Sequence, residues 1–233
     1  MSACSFFSAV NSSFKVFLGN TLVAFGYDQL LEGAGSSGFR VTGGGKVGNF
    51  TADRVTLATV TTPFTDFFPA SSRNQLDRED WVEQGGNFLI NVNQQAQNNS
   101  GLSIAVLSGL NIGAQTISAE VDIAMGVSQT IALLGRYSSF GEGNGYAAEV
   151  SSNSTGVTLT LYRRTGATRV SLGSASYSGG FTGTLTFTLS GSSLSAQLGT
   201  NAALTAIDGM FGSGSAGFRA TGTGTVIDTF AIS

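Results

Sequence analysis

Residues 116–124 read TISAEVDIA, and this stretch decides the fold class. Apolar side chains at Ile117, Val121 and Ile123 alternate with polar ones, so an extended strand carries them all on one face. An amphipathic helix would instead repeat its apolar positions about every three or four residues. The stretch therefore predicts a β-strand with one buried face and one solvated face.

Similar strands recur from residue 81 onward, separated by turns rich in Gly, Asn and Ser such as 138–145 and 151–156. The predicted strands are 88–92, 102–107, 116–123, 130–134, 146–150, 157–162, 169–172, 184–189, 194–198, 218–220 and 226–232. The stretch 72–80 mixes acidic and basic residues, and we interpret it as a loop or a single turn. Many short strands at this spacing are typical of an antiparallel sandwich or barrel, so the chain is predicted to be all-β.

The composition excludes several classes of function. The chain of 233 residues contains no histidine, which removes the Ser-His-Asp and Cys-His catalytic arrangements and His-ligated zinc. Only 11% of its residues are charged, and the net charge of −3 offers no basic surface for nucleic acid. No apolar run approaches the roughly 18 residues that span a bilayer, so no membrane insertion is predicted. The single cysteine, Cys4, excludes an internal disulfide.

An internal repeat relates the start of the chain to its end. The matched segments are 12–19 with 192–199 and Asp28 with Asp208 at an offset of 180 residues (192 − 12), 38–43 with 217–222 after a one-residue slip, and Phe50 with Phe230. Residues 1–58 therefore have the sequence of the last third of the module at 63–233, without its first two thirds. Pro63 marks the joint, because proline is poorly tolerated inside a central strand.

A remnant of two or three strands is only marginally stable alone, so its apolar side must be buried somewhere. We predict that 1–58 is an assembly segment that packs against another polypeptide, in particular a neighbouring copy of the chain. The alternative, in which it folds back onto its own sandwich, stays open. The predicted assembly residues are Phe14, Val16, Leu18, Phe39 and Phe50, with Val47 on the same apolar side.

Several short patterns carry a resemblance to a known family. They are Asp66-Phe67, Trp81, GGNF at 85–88, GRY at 135–137, GYAAEV at 145–150, LTLYR at 159–163, AGFR at 216–219 and VIDTF at 226–230. With these patterns, 63–233 resembles the laminin-G-like and concanavalin A-like jelly rolls of bacterial and phage surface proteins. The resemblance implies an antiparallel jelly-roll sandwich, preceded here by a partial repeat of its C-terminal strands. It also implies that loops at one rim, or one concave face, are open to ligands.

Aromatic and arginine side chains are candidates for glycan binding. Aromatic rings offer an apolar face to a sugar, and guanidinium groups donate hydrogen bonds to its hydroxyls. The candidates are Trp81, Arg136, Tyr137, Tyr146, Tyr162 and Arg163. The alternative, that Trp81 and Tyr146 only pack in the core or at its rim, stays open.

Catalysis and metal binding have weaker signals. Retaining glycosidases of the laminarinase type carry Glu-x-Asp-x-Glu on one strand, whereas here Glu120 and Asp122 are followed by Ala124. Because no second glutamate can protonate a leaving group, the chain is predicted not to be an enzyme. No cofactor is predicted either: Asp66, Asp80 and Asp208 are scattered acids, and no Asp-x-Asp loop supports a calcium site.

We therefore predict a non-catalytic structural or attachment protein of a virion or other surface assembly, such as a capsid decoration or a fibre or tail appendage. It is expected at the virion or extracellular surface, with an interaction or glycan-adhesion sandwich. Its expected partners are copies of itself, neighbouring virion or surface proteins, and cell-surface glycans. The alternatives are a soluble lectin-like module that binds glycans and, more remotely, a glycoside hydrolase.

Overall fold

The computed structural model describes residues 5–28, 30, 35–71 and 73–233, and all of its regular structure is β. The strands are β1 (Ser5–Val10), β2 (Ser13–Leu18), β3 (Thr21–Tyr27), β4 (Phe64–Asp66), β5 (Trp81–Gly85), β6 (Phe88–Ile90), β7 (Ala96–Asn98), β8 (Leu102–Leu107), β9 (Gln115–Ile123), β10 (Thr130–Ser138), β11 (Asn144–Ser152), β12 (Gly156–Thr165), β13 (Thr168–Ser178), β14 (Phe181–Ser190), β15 (Ser193–Leu198), β16 (Leu204–Ile207), β17 (Ser215–Thr221) and β18 (Val226–Ile232). Within the described residues, no helix is long and apolar enough to cross a membrane.

Strands β4–β18 form two antiparallel sheets, which confirms the predicted sandwich. One sheet has seven strands in the order β13-β12-β11-β10-β17-β8-β5. The other has eight, in the order β16-β15-β14-β9-β18-β7-β6 with β4 also paired to β18. Strand β9 lies in the middle of this second sheet, and buried and exposed side chains alternate along it as its sequence predicts.

The apolar faces of the two sheets pack on each other around a group of aromatic rings. Trp81 of the seven-stranded sheet is 2% exposed, with its ring centroid 4.8 Å from Phe218 and 5.1 Å from Phe230. Phe218 and Phe230 lie on strands of opposite sheets and touch at 5.7 Å. These rings therefore join the layers of the sandwich. Phe68, at a positive φ of 48° in the loop after β4, adds a further ring that is 1% exposed.

Strands β1–β3, here called the N-terminal meander, form a separate three-stranded sheet. The six residue pairs between β1 and β2 have the same register, shifted by 180 residues, as the six between β14 and β15. The four pairs between β15 and β16 likewise recur between β2 and β3 at that offset. The closing hydrogen bond is also repeated, from Asp28 N to Ser12 O and from Asp208 N to Ser192 O, at 2.9 Å in both. The sequence repeat is thus a repeat of strand register.

The second half of the repeat is not built into a sheet, because residues 35–61 contain no strand. One contact nevertheless persists: the rings of Phe39 and Phe50 lie 5.2 Å apart at 55°, close to the 5.7 Å and 53° of Phe218 and Phe230. In the sandwich, β17 and β18 pair with β8, β9 and β10. The described residues before Pro63 contain no counterpart of those partners, and 35–61 are accordingly not paired into a sheet.

Candidate functional site

The N-terminal meander docks onto the sandwich beside strand β5 through a small number of polar contacts. Lys15 of β2 forms an ion pair with Glu83 of β5 and donates a hydrogen bond to the side chain of Gln75. The guanidinium carbon of Arg73 lies 4.0 Å above the ring centroid of Phe6, which is a cation–π geometry. Lys15 and Glu83 are buried, so the pair is shielded from solvent.

Between the meander and the sandwich lies a cleft of about 480 Å³. One wall comes from β1 and β2, and the other from residues 66–80 together with the start of β5. Residues 73–80 form turns and one isolated bridge between Gln75 and Leu89, in agreement with the predicted loop, while Ser72 lies outside the described residues. The volume is typical of a site for a small molecule or a sugar unit, roughly 300–1,000 Å³.

Carboxylates crowd the loop side of the cleft. Asp66 accepts hydrogen bonds from Phe68 N at 2.7 Å and from the indole Nε1 of Trp81 at 2.8 Å. Asp77 is exposed and accepts from Glu79 N at 2.9 Å. Burial raises the pKa of Asp80, and the negative charges of Asp77, Asp66 and Glu79 raise it further. On this wall the exposed Asp77 is an acceptor for hydrogen-bond donors such as sugar hydroxyls, and the cations Arg73 and Arg78 lie on the same wall.

Arg73 supplies the complementary donor. Its Nε is buried and has no hydrogen-bond partner among the described residues. A buried polar atom without a partner is costly. With Asp77 as acceptor, Arg73 as donor and apolar lining residues such as Val10 and Pro69, the cleft combines the groups that recognise a polar ligand with apolar patches.

The structure corrects the interpretation of Trp81 and Arg136 as glycan-binding residues. The indole of Trp81 is packed between the sheets, so neither face is free to stack on a sugar. Arg136 is 2% exposed, with Nε donating to Gly113 O at 2.7 Å and Nη1 donating to Gly191 O at 2.7 Å and Phe211 O at 2.9 Å. Its guanidinium is committed to tying three loops together.

Tyr146 and Arg163 are brought together by Asp208. The hydroxyl of Tyr146 donates to Asp208 Oδ1 at 2.7 Å, and Arg163 forms an ion pair with the same carboxylate. Burial alone raises the pKa of Asp208, but donors from Met210 N, Tyr146 and Arg163 outweigh it, and the pKa is lowered. Tyr146 is buried, whereas Arg163 is partly exposed. Among the six predicted glycan-binding residues, Arg163 is the one with solvent access.

Tyr137 and Tyr162 belong to a second cluster of buried side chains on the outer face of the seven-stranded sheet. The loop after β10 folds over this face, where the hydroxyl of Tyr137 donates to Gly141 O. Tyr162 donates to Glu149 at 3.3 Å and lies beneath the guanidinium of Arg169 at 3.9 Å. Burial raises the pKa of both phenols. Both side chains are therefore covered, and neither meets the cleft.

Comparisons with solved structures identify the fold. The sandwich is similar to the carbohydrate-binding module CBM66 from Bacillus subtilis (17% identity, TM-score 0.50, covering 64% of this chain and 91% of that one). It is also similar to the CBM2 module of an evolved Dit of Lactobacillus casei BL23 phage J-1 (12%, 0.51, 72% and 93%). A third neighbour is a legume lectin-like domain from Entamoeba histolytica (11%, 0.52, 76% and 99%). The sandwich has the jelly-roll fold of these neighbours. No protein family and no curated protein matches the sequence.

Glu120 and Asp122 lie on the solvent face of β9 in this jelly roll. Thr184 donates a hydrogen bond to Glu120, and Thr182 donates to Asp122 at 2.8 Å. Both carboxylates are exposed, and neither lines the cleft. They act as acceptors in a cross-strand ladder with β14.

Asp66, Asp80 and Asp208 do not converge on one site. Asp66 and Asp80 border the cleft, whereas Asp208 is paired with Arg163 at the far rim. In the described part of the chain, no three Asp, Glu or Cys side chains are placed to hold a metal ion.

Sequence reasoning missed the cleft, although one signal pointed to it. Six of the 25 charged residues (11 basic plus 14 acidic) fall within 73–83. In a chain with so little charge, this density marks a functional or docking segment. Five of these six residues line the cleft: Arg73, Asp77, Arg78, Asp80 and Glu83.

Proposed function

We propose that this chain is a non-catalytic attachment protein whose jelly roll binds a glycan in the cleft beneath the N-terminal meander. The observation that carries the proposal is the cleft of about 480 Å³, which is lined by Arg73, Asp77 and Asp80 together with apolar residues such as Val10 and Pro69. Pyranose rings have polar edges and apolar faces, and such a lining meets both needs.

The structural neighbours support the fold and the surface location in this proposal. Two of them are carbohydrate-binding modules by name and one is a legume lectin-like domain. Because identity with each is below 20%, the neighbours support the fold, and glycan binding by this chain rests on the cleft. The phage Dit module among them supports a location at a virion or another extracellular surface.

A glycoside hydrolase is the less well supported hypothesis for the same fold. Glu120 and Asp122 are exposed acceptors for threonine hydroxyls, and the next outward position on the strand is occupied by Ala124. A retaining hydrolase requires two carboxyl groups about 5 Å apart that share one substrate, one of them protonated. Binding without turnover is the expected behaviour.

The test is binding to an array of neutral and acidic oligosaccharides, followed by calorimetric titration of the best ligand. Arg73→Gln and Asp77→Asn are expected to weaken binding at least tenfold, since each removes a hydrogen bond to a charged group worth about 1.5–3 kcal/mol. Arg54→Gln and Asp53→Asn are matched controls on exposed residues away from the cleft. No binding on the array, or equal loss in the controls, overturns the proposal.

A second candidate is a purely structural surface protein that binds no glycan. The exposed apolar side of the N-terminal meander favours it, because such a surface is costly in a free monomer. A chain that fails to bind any arrayed glycan but still associates with protein supports this candidate.

A further inference from the structure

The N-terminal meander docks by the face opposite to the one its repeat buries. Ser13, Lys15 and Phe17 of β2 are buried toward the sandwich, whereas their counterparts on β15, at 193, 195 and 197, are exposed or only half-buried. The opposite side of the meander, here called the outer face, carries Phe7, Phe14, Val16 and Leu18.

The outer face is built like the inside of a jelly roll. Its counterparts at the 180-residue offset are Phe187, Leu194, Ala196 and Leu198, all fully buried beneath the seven-stranded sheet. On the meander, by contrast, Phe7 is 62% exposed and Leu18 is 50% exposed, while Phe14 and Val16 are half-buried. The rings of Phe7 and Phe14 stack at 6.3 Å and 12° across the strands, forming a flat apolar surface.

The lack of charge on the outer face favours a second copy of the chain as its partner. Among the residues of β1–β3, Lys15 is the only charged one, and it points away from the outer face to pair with Glu83. Two copies of this face therefore meet without like-charge repulsion, and neither buries an unpaired charge. A second chain also brings the same strand length and twist, which sheet-on-sheet packing requires.

We infer that the outer face is a self-association surface, on which the meanders of two chains pack face to face. The product is a small sandwich of two three-stranded sheets about 10 Å apart, in which the partner's sheet takes the place of the absent seven-stranded one. Phe39 and Phe50, the other two predicted assembly residues, are also exposed, at 60% and 50%, but they lie outside the meander. This inference does not depend on glycan binding in the cleft.

The experiment measures the mass of the full chain by sedimentation and light scattering over a wide range of concentrations. The expected species is a dimer of twice 23.8 kDa. Phe7→Asp and Leu18→Asp are each expected to raise the dissociation constant at least about tenfold, because each removes a buried apolar side chain and buries a charge. The matched control is Ile207→Asp, at a 76% exposed position on β16, and it leaves the constant unchanged.

Circular dichroism and thermal melting verify that each variant keeps the sandwich. A monomer at every concentration overturns the inference without any variant. A dimer that persists in both Phe7→Asp and Leu18→Asp overturns it as well, because the chains then associate through another surface. Glycan binding is expected to survive in the monomeric variants, so failure of either proposal is distinguishable from failure of the other.

Discussion

Lys15 of the N-terminal meander forms a buried ion pair with Glu83 of strand β5, and this pair joins the two parts of the chain. It is the only charge on the strands of the meander, and it is directed toward the sandwich. A buried pair of this kind contributes little over an apolar contact, yet loss of one partner is costly because the other charge is left without compensation.

Replacing Lys15 with methionine is expected to loosen the meander. The buried carboxylate of Glu83 then lacks its cation, which costs about 3 kcal/mol, or a factor of roughly 100 in the docking equilibrium. Amide hydrogen exchange in β1–β3 should accelerate accordingly, while exchange in the core strands β9 and β10 stays slow.

The control for this change is Lys46→Met, which removes the only other lysine at an exposed position. Equal exchange rates in the wild type and Lys15→Met would show that the ion pair does not hold the meander.

Replacing Trp81 with phenylalanine tests the role of the indole as a core residue. The change removes the donor to Asp66 and leaves that carboxylate oxygen unpaired. We therefore expect the free energy of unfolding, measured in urea, to fall by about 2 kcal/mol. The sharper measurement is a double-mutant cycle with Asp66→Ala. Because both single changes break the hydrogen bond between Trp81 Nε1 and Asp66, their effects should be less than additive by about 1 kcal/mol, and strict additivity would contradict this assignment.

Stability should depend on pH through Asp208. Its pKa is lowered from 3.8 in the folded chain, so its contribution is present above pH 3.8 and is lost as the pH falls through the lower folded value. Asp208→Asn is therefore expected to lower the free energy of unfolding at neutral pH by about 1 kcal/mol. The difference in stability between the wild type and the variant should disappear in acid. Urea unfolding at a series of pH values measures it.

Asp80→Asn serves as the control of opposite sign. The pKa of Asp80 is raised from 3.8, so its ionisation destabilises the folded chain as the pH rises. The variant should be more stable than the wild type at neutral pH, and the two should converge below pH 3.8. If both variants shift stability in the same direction at neutral pH, the assigned causes are wrong.

The alternation along the strands was enough to predict the sandwich, because strand period is local information. Residues 116–123 predicted β9 almost to its ends, and the repeat of 12–19 at the 180-residue offset marked β2 as the counterpart of β15, although it did not reveal β1. Which face of the meander meets the sandwich was beyond sequence reasoning. That choice depends on Lys15 finding Glu83, a contact between segments far apart in the chain.

The candidate site was predicted less well for the same reason. Trp81 looks like a sugar-stacking residue until Phe218 and Phe230, about 140 residues later, close around it. Arg136 looks like a free cation until three backbone carbonyls from distant loops surround it. Aromatic and arginine residues serve cores and binding sites equally, so composition alone does not separate these roles.

Strands β1–β3 and β14–β16 share the same register pair for pair, and this has a consequence for folding. While the core assembles, β1–β3 compete with β14–β16 for the same place opposite the seven-stranded sheet, within one chain or between chains. The volume of the core side chains decides the outcome. Ser5 and Ala9 would occupy the positions of Leu185 and Leu189, which fill the core, and each loss of a buried leucine side chain costs about 2–5 kcal/mol. The correct strands win at equilibrium, while strand exchange between crowded chains remains a kinetic trap that high protein concentration favours.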